Sequence, residues 1–164
     1  MQFCLVGAAA SEISYDEKAQ RVTLTFSSMI AANLNAPIKI TFEGIINNDM
    51  AGFYRSRYKP LQPPVKSVAR EGDHHLMFST QFEACDARRA FPCFDEPNLK
   101  ASFALSIEIP HDQTALSNMP EVESEPGSQP GLKIVHFEQT PKMSTYVRQY
   151  LFLSARTPYI FMRM

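Results

Sequence analysis

An all-β fold, an antiparallel sheet or sandwich, is what this sequence predicts. Three observations carry it. Apolar residues alternate with period 2, turn-forming clusters separate the alternating runs, and twelve prolines with six glycines leave few windows for an uninterrupted helix. In chain order, Val22, Leu24 and Phe26 fall on one face opposite Arg21, Thr23 and Thr25. Ile38, Ile40 and Phe42 fall opposite Lys39, Thr41 and Glu43. Residues 52–58 and 75–82 are shorter candidate strands. The cleanest alternation puts Phe103, Leu105, Ile107 and Ile109 on a buried face and Ser102, Ala104, Ser106 and Glu108 on a solvated one; residues 133–138 give one more strand. Turns are expected at Tyr15 to Lys18, Asn47-Asn48-Asp49, Arg70 to Asp73 and Ile109 to Asp112. The stretch 120–131 reads as a solvated connection, and one helical turn fits at 86–90.

The 164 residues, 45% hydrophobic and 20% charged, fit one ordinary domain large enough to bury a core without staples. Sixteen Lys and Arg against seventeen Asp and Glu give a net charge of -1, so the basic surplus that binds nucleic acid is missing. The run from Phe3 to Ala10 has no basic residue before it and is short for a signal-peptide core, and no stretch has the roughly 20 apolar residues of a transmembrane segment. The three cysteines, Cys4, Cys85 and Cys93, are an odd, sparse set that favours reduced thiols and a cytoplasmic protein over a disulfide scaffold.

Motifs for catalysis are missing: there is no HExxH, GxSxG, Gly-rich phosphate loop or CxxC pair. His74 and His75 are adjacent and would point to opposite faces of a strand. Cys85 and Cys93, with His111 and His136 distant, match no common zinc spacing. Glu121, Glu123 and Glu125 offer carboxylates, but in a polar loop without supporting His or Asp a cation site is a minor reading. No catalytic residue and no metal ligand is assigned. One segment differs in kind. Residues 80–97 crowd Glu83, Asp86, Arg88, Arg89, Asp95 and Glu96 among aromatics and prolines, which requires charges that pair with one another or face a site.

That segment, TQFEACDARRAFPCFDEPNLKASF, closely resembles the signature in the amino-terminal domain of the zinc aminopeptidases of the aminopeptidase N and puromycin-sensitive aminopeptidase family. ITFEGIINNDMAGFYRSRY resembles the same family's strand-turn-strand block, and ALSNMP and FEQTPKMSTY resemble two downstream blocks. The resemblance runs over residues 13–146. It implies a saddle-like β domain that packs on a thermolysin-like catalytic domain and helps wall its active site. It also implies that Gln81 and Glu83 face the substrate. A free α-ammonium, with a pKa of about 7.7–8.0, is largely charged at neutral pH, and a carboxylate gives it a charge-assisted hydrogen bond that a blocked amine cannot accept. Glu83 would then measure from the amino terminus to the scissile bond, and Gln81, two residues away on one strand face, would line the pocket for the first side chain.

The family's zinc-binding HExxH with its downstream Glu, and its G-x-M-E-N motif, belong after the point where this chain stops, and VRQYLFLSARTPYIFMRM departs from the family pattern. The expected organisation is therefore an aminopeptidase N-like β domain over residues 1–146, shortened at its start, and a divergent tail over 147–164. The expected function is that of a fragment of a zinc metalloaminopeptidase, holding recognition residues for peptides with free amino termini. Without its catalytic domain it is expected to be inactive and to hold no cofactor, zinc belonging to the full-length enzyme. The alternative is a non-catalytic stand-alone β-domain that binds peptides or docks to an aminopeptidase.

Overall fold

The computed structural model describes residues 2–5, 8–29, 37–58, 75–148, 150–154 and 161–163. They form thirteen strands and two 3-10 turns in two compact units, 1–45 and 46–164. In the first unit β1 (Gln2–Leu5) pairs antiparallel with β2 (Ala8–Ala9) and with β5 (Ile38–Thr41). The hairpin of β3 (Glu12–Asp16) and β4 (Arg21–Thr25) forms a separate two-stranded sheet. Its turn lies slightly beyond the Tyr15 to Lys18 expected from sequence. Asp16 still belongs to the strand, and its Oδ1 accepts the Ala19 N–H at 2.9 Å, the local bond that makes Asp a turn residue. The alternating faces are only partly covered. Leu24, Phe26, Ile40 and Phe42 are half-buried, whereas Val22 and Ile38 are exposed.

The second unit holds two four-stranded antiparallel sheets. In one, β6 (Gly52–Tyr58) pairs with β7 (His75–Gln81), β7 with β12 (Tyr150–Ser154), and β12 with β9 (Thr114–Ser117). In the other the order is β10 (Glu121–Pro126), β11 (Leu132–Phe137), β8 (Leu105–Pro110) and β13 (Phe161–Arg163). Both sheets supply the core. Phe53 and Phe78 come from the first, Leu105, Ile107, Ile109, Val135 and Phe137 from the second. The all-β antiparallel expectation therefore holds.

Before β6, the Asn47 side chain organises the turn: its Oδ1 accepts the Asp49 N–H at 2.7 Å and its Nδ2 donates to the Ala51 carbonyl at 2.8 Å. Gly52 follows at φ +70, where an added Cβ would lie 2.6 Å from the Arg89 Cβ, so both backbone conformation and space call for glycine. The turn expected at Arg70 to Asp73 lies outside the described residues, as does His74.

Three sequence expectations need correction. Residues 121–126 are not a connecting loop but strand β10, paired with β11 from Glu121↔Phe137 to Pro126↔Lys133. Every residue of β10 is exposed, so this edge strand carries no apolar alternation to read, and its glutamates guard the open edge against further pairing. Glu108 is not on a solvated face; it is buried, because the β10–β11 turn folds over it. Its Oε1 accepts the Ser128 N–H and its Oε2 accepts the Ser128 hydroxyl at 3.1 Å. Finally, β8 starts at Leu105, two residues after Phe103. Phe103 instead exchanges bonds with Thr140, whose Oγ1 accepts the Phe103 N–H at 3.0 Å.

The tail is part of the architecture. Residues 150–154 occupy an interior strand position between β7 and β9, with Leu151 opposite both Ser79 and Leu116, and residues 161–163 pair with β8.

Candidate amino-terminus recognition site

Strand β7 ends at Gln81, where the charged segment begins. Phe82 turns inward, 1% exposed, with its ring edge-on to Phe91 at a centroid distance of 6.0 Å. Gln81 and Glu83, on either side of it, are exposed. This alternation puts both candidate residues outside the core and anchors them through the phenyl ring between them. The Glu83–Ala84 peptide is cis, and the chain then enters a 3-10 turn at Ala87–Arg89.

Gln81 and Glu83 line a single cleft of about 200 Å³ with Thr80 and Phe82 on one side and Tyr146, Val147 and Arg148 on the other. The second wall belongs to another 3-10 turn, Thr145–Val147. The two walls meet where the Thr80 hydroxyl donates to the Arg148 carbonyl at 3.4 Å. Among the described residues, exposed Glu83 makes no ion pair, and it lines the cleft. The guanidinium of Arg148 is 2% exposed and stacks over the rings of Phe103, at 4.2 Å, and Phe91, at 5.2 Å. These cation–π contacts hold its charge inside the fold. A second hollow, of about 380 Å³, is lined by Asn48, Arg55, Ser56, Arg57 and Leu76. Among the described residues it presents two arginines and no carboxylate, the wrong sign for an ammonium.

The other charges of the segment pair as its composition required. Arg89 Nε lies 2.9 Å from Asp86 Oδ1, on the surface. Arg88 Nε donates to the buried Asp95 Oδ2, also at 2.9 Å, and that hydrogen bond raises the Arg88 pKa above its ordinary value. Asp95 further accepts the Arg88 N–H at 3.1 Å and, through Oδ1, the Thr145 hydroxyl at 2.9 Å. The Cys93 thiol, close by, is pushed up to about 12 by burial and then by the negative charge of Asp95, which keeps it protonated and inert. Cys85 is an exposed free thiol.

His136 is a bridge between strands, with Nδ1 2.7 Å from the Ser106 Oγ and Nε2 3.3 Å from Glu125 Oε1. Among the described residues no three His, Cys, Asp or Glu side chains are grouped to hold a metal ion, and no helix is long and apolar enough to cross a membrane.

A family model, the peptidase M1 N-terminal domain, matches residues 6–147. The chain belongs to that family. This M1 N-terminal domain is 43% identical over 152 residues to the alanine/arginine aminopeptidase of Saccharomyces cerevisiae, covering 92% of the chain and 17% of that protein. It is 39% identical over 139 residues to aminopeptidase M1 of Arabidopsis thaliana, covering 85% of the chain and 14% of the relative. The puromycin-sensitive aminopeptidase of Caenorhabditis elegans is 38% identical over 136 residues, 83% of the chain and 13% of the relative. The chain thus spans about a seventh of the length of the curated relatives it matches.

Sequence reasoning placed Gln81 and Glu83, and the structure brings them into one cleft. It did not find the opposite wall. The signal available was the FEQTPKMSTY block, which also resembles the family and ends at Tyr146, in the wall itself.

Proposed function

We propose that this M1 N-terminal domain serves a zinc metalloaminopeptidase by recognising the free amino terminus of peptide substrates, with Glu83 as the ammonium acceptor and Gln81 lining the pocket for the first side chain. The observation that carries the reading is the placement of an exposed carboxylate, without an ion pair among the described residues, in the same cleft as Gln81, Tyr146 and Val147. An α-ammonium has three N–H donors and a full charge. Glu83 accepts from it through a charge-assisted bond, and the Gln81 carbonyl offers a further acceptor. Acetylating the amine removes the charge and two of the three donors, so a blocked peptide forfeits the strongest contact. Holding the amino terminus fixes the distance to the first peptide bond, which is how such a contact gives exopeptidase rather than endopeptidase specificity.

The catalytic machinery, zinc included, would lie in a catalytic domain outside these 164 residues, which alone would be inactive. In domain terms the reading keeps residues 1–146 as the aminopeptidase N-like β domain and 147–164 as a divergent segment that fills strand positions in both sheets. The two free thiols among the described residues suit a cytoplasmic setting.

The test is a nuclear magnetic resonance titration of the chain with Ala-Ala-Phe amide and with its N-acetyl form. Tighter binding of the free amine, lost in Glu83→Gln, is the expected result. Equal affinity for the two peptides, or a preference that survives Glu83→Gln, would refute the assignment.

A further inference from the structure

We infer that Asp95 is a positioning residue for this cleft, one carboxylate that ties its two walls to each other. The inference rests on the recognition reading above. Asp95 is 4% exposed, and a buried carboxylate persists only where donors replace the water it has lost. Its donors come from the segments next to the two walls. Oδ2 takes the N–H and Nε of Arg88, in the 3-10 turn Ala87–Arg89 that begins four residues after Glu83. Oδ1 takes the hydroxyl of Thr145, the first residue of the turn that presents Tyr146 and Val147. Thr145 is itself 4% exposed, so this bond is shielded from solvent, where charge-assisted bonds are strongest.

A neighbouring bond reinforces the same tie. The hydroxyl of Ser144, also buried, donates to the Pro97 carbonyl, two residues after Asp95. The segment 95–97 thus grips residues 144–145 with two side-chain bonds, while its other contact holds the turn after Glu83. At the Arg148 end the walls are joined by the Thr80 hydroxyl, which donates to the Arg148 carbonyl at 3.4 Å, and by the pairing of β12 with β7. Asp95 adds a tie at the other end, between the turn after Glu83 and the turn that carries Tyr146 and Val147. A recognition site held loosely by even 1 Å loses much of its discrimination, which gives this bond a functional effect beyond its share of stability.

Thr145→Val tests this with the least disturbance, since it is close to isosteric and removes only the hydroxyl, leaving Asp95 paired with Arg88. Thr145→Ser retains the hydroxyl and serves as the rescue. Affinity of the chain for Ala-Ala-Phe amide is expected to fall about 10-fold in Thr145→Val and to recover in Thr145→Ser, because loss of a bond to a charged group is worth about a factor of ten or more. Unchanged affinity in a folded Thr145→Val chain would overturn the inference. If the wild-type chain does not distinguish the free from the acetylated peptide, the recognition reading fails on its own, and amide hydrogen exchange then decides the positioning claim. Faster exchange in Thr145→Val at both Arg88 and Val147 upholds the tie between the walls. Faster exchange at Val147 alone, or at neither, contradicts it.

Discussion

Replacing Phe82 by alanine separates packing from recognition within three consecutive residues. The Phe82 side chain is almost fully enclosed and meets Phe91 edge-on, whereas Gln81 and Glu83 beside it are exposed. Burying an aromatic side chain of about 150–200 Å² at about 25 cal/mol per Å² contributes roughly 4–5 kcal/mol. Alanine retains only the Cβ and leaves a cavity, so a loss of about 3–5 kcal/mol is expected. Domains of this kind are stable by only about 5–15 kcal/mol, so much of the margin would go. The chain contains no tryptophan, and urea unfolding is best followed by far-ultraviolet circular dichroism. The midpoint should fall sharply in Phe82→Ala and hardly move in Glu83→Gln. A loss below about 1.5 kcal/mol for Phe82→Ala would mean that the ring is not the anchor of the signature strand and would refute the alternation on which the site is built.

Asp95→Ala removes the buried carboxylate that accepts from Arg88 and Thr145. The cost should be about 2–4 kcal/mol by urea titration, below that of a fully buried pair because the Arg88 side chain is 32% exposed. At pH 8, alkylation followed by peptide mapping should label Cys85 well before Cys93, whose thiol stays protonated to about 12. The same raised value has a stability consequence. From the ordinary thiol value near 9.0 up to about 12 the unfolded chain has lost the Cys93 proton that the folded chain keeps, so stability falls as pH rises through that window. The alkaline decline should be shallower in Cys93→Ala than in wild type; parallel curves would contradict the burial of that thiol.

What could be read from the sequence follows from where its residues are buried. Strands β6 and β7 were legible almost to the residue because their alternation is flanked by turn chemistry, such as the Asn47 side-chain bonds before β6. Strand β10 was not, since an edge strand exposed on both faces leaves no hydrophobic pattern. Glu108 misled for the opposite reason: its burial is compensated by Ser128, twenty residues away, and no local pattern encodes a bond at that separation. The same applies to the cleft. Gln81 and Glu83 lie in one contiguous motif, so their proximity could be read from the sequence, whereas the tie through Asp95 and Thr145 joins positions fifty residues apart. The integration of 150–154 into the β7 sheet likewise depends on pairing with β7 and β9, which composition does not reveal.

The most direct test of the account is kinetic and requires a complete enzyme. Residues 80–103 of this chain would be built into a full-length family aminopeptidase, and the Glu83→Gln change made in that background. Glutamine keeps the size and most of the hydrogen-bonding capacity but removes the charge, so only the charge-assisted contact to the ammonium is lost. Catalytic efficiency toward substrates with free amino termini should drop by roughly 10- to 150-fold, the equivalent of about 1.5–3 kcal/mol of transition-state binding, with the thermal midpoint unchanged. An active Glu83→Gln enzyme with unaltered efficiency would remove Glu83 from the recognition site and leave the signature as a structural turn.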